Sequence, residues 1–310
     1  MPITIITHSD CLLHDPGAGH PENPQRLAGI MQALQASAIS GKLEFNEAPL
    51  GTDALILLAH DEFHLEKIRQ TAPAEAEASL DADTHMSPGS LNAAFRAVGA
   101  ACQGVDSLMN ASAETIFCAT RPPGHHATAH QAMGFCLFNH IAIAALYARQ
   151  KYNLSRIAIV DFDVHHGNGT QDIVRGQDGI FYISTHQSPL YPGSGEISEN
   201  RNNNILNIPL HGGTGHNTYV AIFEEQVIPV LEAWQPELVL VSAGFDAHQA
   251  DPLAGLALTD ETYQWLGVEL KTIANNHCGG KLLSVLEGGY NLDVLPGSVI
   301  AYLQGNLENT

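Results

Sequence analysis

The chain has 310 residues, of which 45% are hydrophobic and 15% charged, and a formal net charge of -20. That length can bury an ample core, while the acidic balance disfavours nucleic acid as a partner and mildly attracts cationic substrates. Five scattered cysteines (Cys11, Cys102, Cys118, Cys136, Cys278) without a C-x-x-C pair read as free thiols, and the longest apolar run, Ile141 to Ala148, is too short to span a bilayer. A cytoplasmic protein without secretion signal or membrane partner is expected.

Ile3 to Thr7 reads as a first strand, leading into a polar loop that runs to Glu22. Asn23 then caps a helix with Pro24 at its first position and an apolar stripe of Leu27, Ile30, Met31 and Leu34. Arg26 lies in the first turn, where a cation opposes the helix dipole, so it calls for a carboxylate or carbonyl partner. Thr71 to Ala78 reads as surface, and the turn-rich Asp81 to Gly89 leads into an amphipathic helix over about residues 90–110.

From there one theme repeats, a short β-rich run that ends in a polar loop. Thr115 to Ala119 leads to Arg121-Pro-Pro-Gly-His-His126, and Ile157 to Val160 leads to Asp161-Phe-Asp-Val-His-His-Gly-Asn-Gly169. Ile180 to Ser184 leads to Thr185-His186 and on to Tyr191; Leu238 to Ser242 leads to Ala243-Gly-Phe-Asp246; Leu282 to Leu286 leads to Glu287-Gly-Gly-Tyr290. Helical patterns lie between them at about residues 137–150, 217–233, 260–277 and 293–304. Alternation of this kind predicts an α/β fold, a mostly parallel multi-stranded sheet flanked by helices on both faces. Ligands of such sheets bind beyond the carboxyl ends of the strands, where all five polar loops converge. No linker divides residues 1–310, so a single catalytic domain is expected.

Asp163 and His165 are two apart and leave an extended backbone on the same side, which suits two ligands of one metal. A carboxylate with an imidazole favours zinc or another borderline divalent ion, iron(II) and cobalt(II) included. Catalytic sites of this type use three protein ligands. Asp246, beside Gly244, is the leading third candidate, with His186, Asp251 and Asp161 as competitors. Asp161 can instead hold a neighbouring imidazole. The stiff Pro122-Pro123-Gly124 turn aims His125 and His126, and imidazole suits proton transfer near neutral pH. Tyr290, in a Gly-Gly-Tyr-Asn turn, offers a phenol for polarising a carbonyl.

Together Arg121-Pro-Pro-Gly-His-His126, Asp161-Phe-Asp-Val-His-His-Gly-Asn168-Gly, Ala243-Gly-Phe-Asp246 and Glu287-Gly-Gly-Tyr290 resemble the zinc-dependent histone deacetylase family, nearer its class II and bacterial branches. The resemblance runs from His20-Pro-Glu-Asn-Pro24 to Tyr290-Asn291. It implies the arginase–deacetylase fold, one Zn2+ on Asp163, His165 and Asp246, His126 as general base then acid, His125 as its electrostatic partner and Tyr290 as the carbonyl-polarising donor. It further implies that Asp161 orients His125 and that Asn168 stands behind His126, where many class I members carry an aspartate. A structural K+ near Asp161, Asp163, His165, Ser184 and Thr185 is also implied. So is a substrate tunnel walled by Gly134, Phe135, Tyr191 and Leu253, with Asp83 at its rim. The polyamine-selective branch is expected to carry glutamate where Leu253 stands. Cys136, beside the tunnel, reads as a buried small hydrophobe.

The leading reading is a zinc amidohydrolase that removes acetyl or short acyl groups from lysine-like amines, with an acylated peptide, protein or small amine as partner and a homo-oligomer left open. An acetylpolyamine deacetylase is the second reading, and Leu253 counts against it. A ureohydrolase would be expected to use two manganese ions and further carboxylates. A catalytically silent zinc protein that binds acyl-lysine is the alternative of another class, and its expected sign, a damaged catalytic set, is not seen.

Overall fold

The computed structural model describes residues 2–200 and 204–308. In chain order the elements are β1 (Ile3–Thr7), α1 (Pro24–Ala36), β2 (Leu43–Glu47), α2 (Asp53–Ile56), α3 (Glu62–Thr71), β3 (Ala78–Ser79), β4 (His85–Met86), α4 (Ser90–Met109), β5 (Thr115–Cys118), α5 (His140–Tyr152), β6 (Ile157–Asp161), α6 (Asn168–Val174), β7 (Ile180–Gln187), β8 (Ile205–Leu210), α7 (His216–Ile222), α8 (Ile228–Trp234), β9 (Leu238–Ala243), α9 (Asp260–Cys278), β10 (Leu282–Leu286) and α10 (Leu295–Glu308). The main sheet has eight strands in the order β2-β1-β5-β10-β9-β6-β7-β8, parallel throughout. This is the parallel sheet flanked by helices that the alternation of strands and helices predicted.

Period-two alternation gives the sheet two cores, as a strand buried on both faces requires. In β6, Ala158 and Val160 pack with α1, α9 and α10 through Leu27, Leu270 and Tyr302. Ile157 and Ile159 face the other side, against α4 and α5 through Val98, Val105 and Ile141. Each helix covers one core, and the carboxyl ends of the central strands stay free for loops. Among the described residues, no helix is long and apolar enough to cross a membrane.

The structure departs from the sequence expectation in several elements. β2 and β8 were not foreseen, and both are edge strands. β2 is exposed beyond Leu43, and in β8 Asn207 and Pro209 interrupt the apolar run. α3 and α6 were also missed; α6 begins in the glycine-flanked Gly167-Asn168-Gly169, a poor helix former by composition. The turn-rich stretch near residue 80 contains the short antiparallel pair β3–β4. The helix expected over 217–233 is interrupted by a π-turn, Phe223–Val227, just before Pro229, whose missing N–H breaks the regular ladder.

Candidate active site

β6 ends at Asp161, and residues 163–165 are a bend rather than the extended backbone assumed from the spacing. The two side chains converge nonetheless, because the His165 N–H donates to Asp163 Oδ1 at 2.9 Å. β9 lies beside β6, which brings Asp246 to the same point. His165 Nδ1 is 3.1 Å from Asp163 Oδ1 and 3.1 Å from Asp246 Oδ2. The other oxygens are held from outside: Gly288 N–H donates to Asp163 Oδ2 at 2.8 Å and Val164 N–H to Asp246 Oδ1 at 2.9 Å.

One atom from each of Asp163, His165 and Asp246 falls within a 4.8 Å cluster, and all three residues are buried. Tetrahedral zinc with bonds of about 2.0–2.2 Å places its ligands roughly 3.3–3.6 Å apart, a little beyond the 3.1 Å separations here. Burial and then the charge of Asp163 push the Asp246 carboxyl up to about 7. Two buried carboxylates so close together call for a cation between them. Gly288 completes the cradle, since a Cβ there would collide with the Asp246 carboxylate. The donor set therefore fits a divalent metal. The competing candidates are engaged elsewhere: His186 Nδ1 meets Ser184 Oγ at 2.9 Å, Asp161 meets His125, and Asp251 Oδ2 accepts the Tyr290 N–H at 2.7 Å.

The loop after β5 brings in His125 and His126, whose rings lie 4.0 Å apart. His125 Nδ1 is 3.0 Å from Asp161 Oδ2, which also accepts the Tyr182 hydroxyl at 3.0 Å. Burial opposes a charge on His125, yet the carboxylates of Asp163 and Asp161 hold its pKa well above the usual histidine value. Burial, followed by the positive charge of His125 and His165, holds His126 well below it. The pKa values of two adjacent imidazoles are thus pushed in opposite directions. His126 Nδ1 is 2.8 Å from Asn168 Oδ1; with the proton on Nδ1, Nε2 keeps a free lone pair.

Beside these groups a cavity of about 260 Å³ is lined by Phe135, Leu190, Tyr191, Leu253, Gly134 and Asp83, together with His126, His165 and Tyr290. Phe135 stands edge-on to Tyr290 with ring centroids 5.8 Å apart, and Tyr191 edge-on to His126 at 5.1 Å. The Arg26 guanidinium lies 4.8 Å from the Tyr290 ring centre. Arg26 has both kinds of partner that its position demanded, the Glu22 carboxylate at 2.9 Å and the Glu287 carbonyl at 2.6 Å. Cys136 is buried with its thiol pKa pushed well up by burial, which leaves it an inert space-filler. Ser184 stands opposite Asp161 in the β6–β7 ladder, and the Thr185 and Tyr219 hydroxyls are 2.7 Å apart.

The profile of the histone deacetylase domain matches residues 20–305. The chain belongs to the histone deacetylase family. It is 36% identical over 292 residues to the histone deacetylase-like amidohydrolase of Pseudomonas aeruginosa, covering 93% of this chain and 77% of that one. It is 39% identical over 300 residues to histone deacetylase 14, chloroplastic, of Arabidopsis thaliana, covering 90% and 71%. The crystal structure of the HDA15 HD domain superposes with a TM-score of 0.91 at 34% identity, over 98% of this chain and 88% of that one. Membership of this histone deacetylase family supports deacetylase activity.

Several residues beneath the site were not singled out from sequence. Glu287 Oε2 accepts the backbone N–H groups of Gly124 at 2.6 Å and His125 at 3.2 Å, fixing the histidine pair from below. Burial pushes its pKa up to about 7 despite those donors. Tyr182 bonds Asp161, and Asn139, the cap of α5, donates to Ala127 O at 3.1 Å. For Glu287 a signal existed, a carboxylate directly after a fully buried apolar strand. For Tyr182 and Asn139 none did, since each sits within an apolar stretch.

Proposed function

We propose that the protein is a zinc-dependent deacetylase that hydrolyses the acetyl or short acyl amide on the ε-amine of lysine in peptides or proteins. The observation that carries this reading is the cavity itself, an apolar sheath for an aliphatic stem with Tyr290, His126 and His165 on its polar lining. A divalent metal on Asp163, His165 and Asp246 supplies Lewis acidity toward the acyl carbonyl and makes a water more acidic. His126, neutral and oriented by Asn168, takes a proton from the attacking water at Nε2. His125, whose Nδ1 bonds Asp161, favours the negative charge that develops as water oxygen adds to the carbonyl carbon. Tyr290 lines the cavity, and its hydroxyl donates to the carbonyl oxygen. His126 then returns its proton to the amine nitrogen as the C–N bond breaks, releasing the acid and the free amine.

The same reading extends to a single catalytic domain, a cytoplasmic location and a structural potassium ion near Asp161, Asp163, His165, Ser184 and Thr185. Burial, and then Asp163, raise the pKa of the Asp161 carboxyl, an environment that a nearby cation relieves. The test is kcat/KM of the zinc-loaded protein on an acetyl-lysine peptide and on an N-acetylpolyamine, with His126→Ala and Tyr290→Phe as controls. Preference for the peptide, lost in both variants, is the expected result. Preference for the polyamine would keep the chemistry and replace the substrate. Full zinc occupancy with no hydrolysis of any acyl-lysine substrate would leave only a silent binder, and activity unchanged in the variants would overturn the proposed roles.

A further inference from the structure

Asp251 lies 7% exposed in the loop after β9, outside the metal cluster. Its Oδ1 accepts the Leu253 N–H at 3.0 Å, a local turn that many aspartates make. That turn needs one oxygen only. The other, Oδ2, reaches 39 residues along the chain to the Tyr290 N–H at 2.7 Å, and also accepts from Asn291 N–H at 3.3 Å. Asn291 Nδ2 returns a bond to Ala250 O at 2.7 Å, so these three hydrogen bonds tie the two loops together.

Tyr290 follows two glycines, Gly288 and Gly289, the latter in the left-handed region at φ +122°. A segment so free in the unfolded chain needs its direction set by partners. Arg26 grips it from one side through the Glu287 carbonyl at 2.6 Å. Asp163 holds it at the Gly288 N–H, and Asp251 grips it two residues further on, directly on the residue that carries the phenol. One carboxylate thus joins the tunnel wall at Leu253 to the backbone of Tyr290.

Resting on the deacetylase reading above, we infer that Asp251 is a positioning residue for Tyr290, which fixes the height of the phenol in the tunnel and thereby its hydrogen bond to the reacting carbonyl. Asp251→Asn keeps the shape but replaces one acceptor oxygen with a donor that faces another N–H. Misplacement by about 1 Å is enough to cost on the order of 100-fold in rate. The loss falls mainly on kcat, since Phe135, Leu190 and Tyr191, cavity walls that Asp251 does not bond, still bind the stem.

The experiment is a cycle of zinc-loaded wild type, D251N, Y290F and D251N/Y290F, measuring kcat and KM on an acetyl-lysine peptide, with metal content checked in each. D251N is expected to lower kcat about 10- to 100-fold with KM within about 3-fold, and to cost less than about 3-fold once Tyr290 is Phe. The same large loss in both backgrounds, or a loss confined to KM, overturns the inference while leaving the deacetylase reading in place. No effect of Y290F on kcat overturns both. If D251N does not fold, D251E runs the same cycle, because its longer arm moves the acceptor away from the Tyr290 N–H without adding a donor.

Discussion

His60 offers a quantitative test of how the site is supported. It is 4% exposed, and both ring nitrogens are engaged: Nδ1 lies 2.9 Å from the Thr128 carbonyl, while Nε2 accepts the Asn139 N–H at 2.9 Å. Such an imidazole must be neutral, because a proton on Nε2 would face another N–H. Burial, with the neighbouring His64 adding to it, lowers the His60 pKa from 6.5 to about 3. The unfolded chain therefore binds more protons than the folded one between these two values, and stability falls as pH drops through that window. At pH 5 the loss is 1.5 pH units at 1.36 kcal/mol each, about 2 kcal/mol. It is fully absent above the unfolded value. The assay is urea unfolding of wild type and His60→Gln at pH 7.5, 6 and 5, in which the difference between the proteins cancels the pH dependence they share. The stability advantage of the wild type is expected to shrink by about 2 kcal/mol from pH 7.5 to 5. A gap that stays constant within about 0.5 kcal/mol would show that His60 does not titrate between the two states and would refute the reasoning.

Three further outcomes follow from the geometry. Glu22→Gln removes the carboxylate buried against Arg26 and Arg121 and leaves two guanidinium groups without a counter-charge, so urea unfolding should register a loss of about 3–5 kcal/mol; a loss under about 1 would mean that the carbonyl partners suffice. Asn168→Asp places a carboxylate on His126 Nδ1, which favours imidazolium and raises the His126 pKa, so the acid limb of kcat/KM should move up by about one pH unit, and an unmoved limb would argue against His126 as the base. Removing metal with a chelator should abolish hydrolysis and lower the melting temperature, because Asp163 and Asp246 then lack a shared counter-ion, with both restored by zinc; a melting curve indifferent to metal would count against that site.

The alternation of apolar strands with polar loops was legible because a strand buried on both faces must be apolar and the chemistry must follow it. The stretch from Ile159 to Gly169, in which β6 ends, shows this in eleven residues. The edge strands β2 and β8 were not legible, since an edge needs neither an apolar run nor a full set of donors. At the site, spacing within one loop pointed to Asp163 and His165 without any tertiary information. The choice of Asp246 over Asp251 or His186 stayed open, because it depends on β9 lying next to β6, and strand order is a tertiary fact. Asp251 meets the site through a backbone N–H, a group that every residue but proline carries and that leaves no mark in sequence.

That last kind of contact recurs around the site. Glu287, after β10, accepts N–H groups of the loop after β5; Asp163, after β6, accepts one from the loop after β10; Asp246, after β9, accepts one from the loop after β6; and Asp251, after β9, accepts the Tyr290 N–H after β10. Each buried acid is thus partly compensated by the backbone of another loop, which offsets the cost of desolvating it. The four strands concerned are neighbours in the sheet, in the order β5, β10, β9, β6. Their loops are therefore linked to one another as well as to the strands beneath. A substitution at one of these carboxylates releases a segment that carries a functional group: Glu287 the histidine pair, Asp246 the His165 bend, and Asp163 and Asp251 the loop with the phenol. Placement of the reacting groups is in this sense a collective property of the ring of carboxylates.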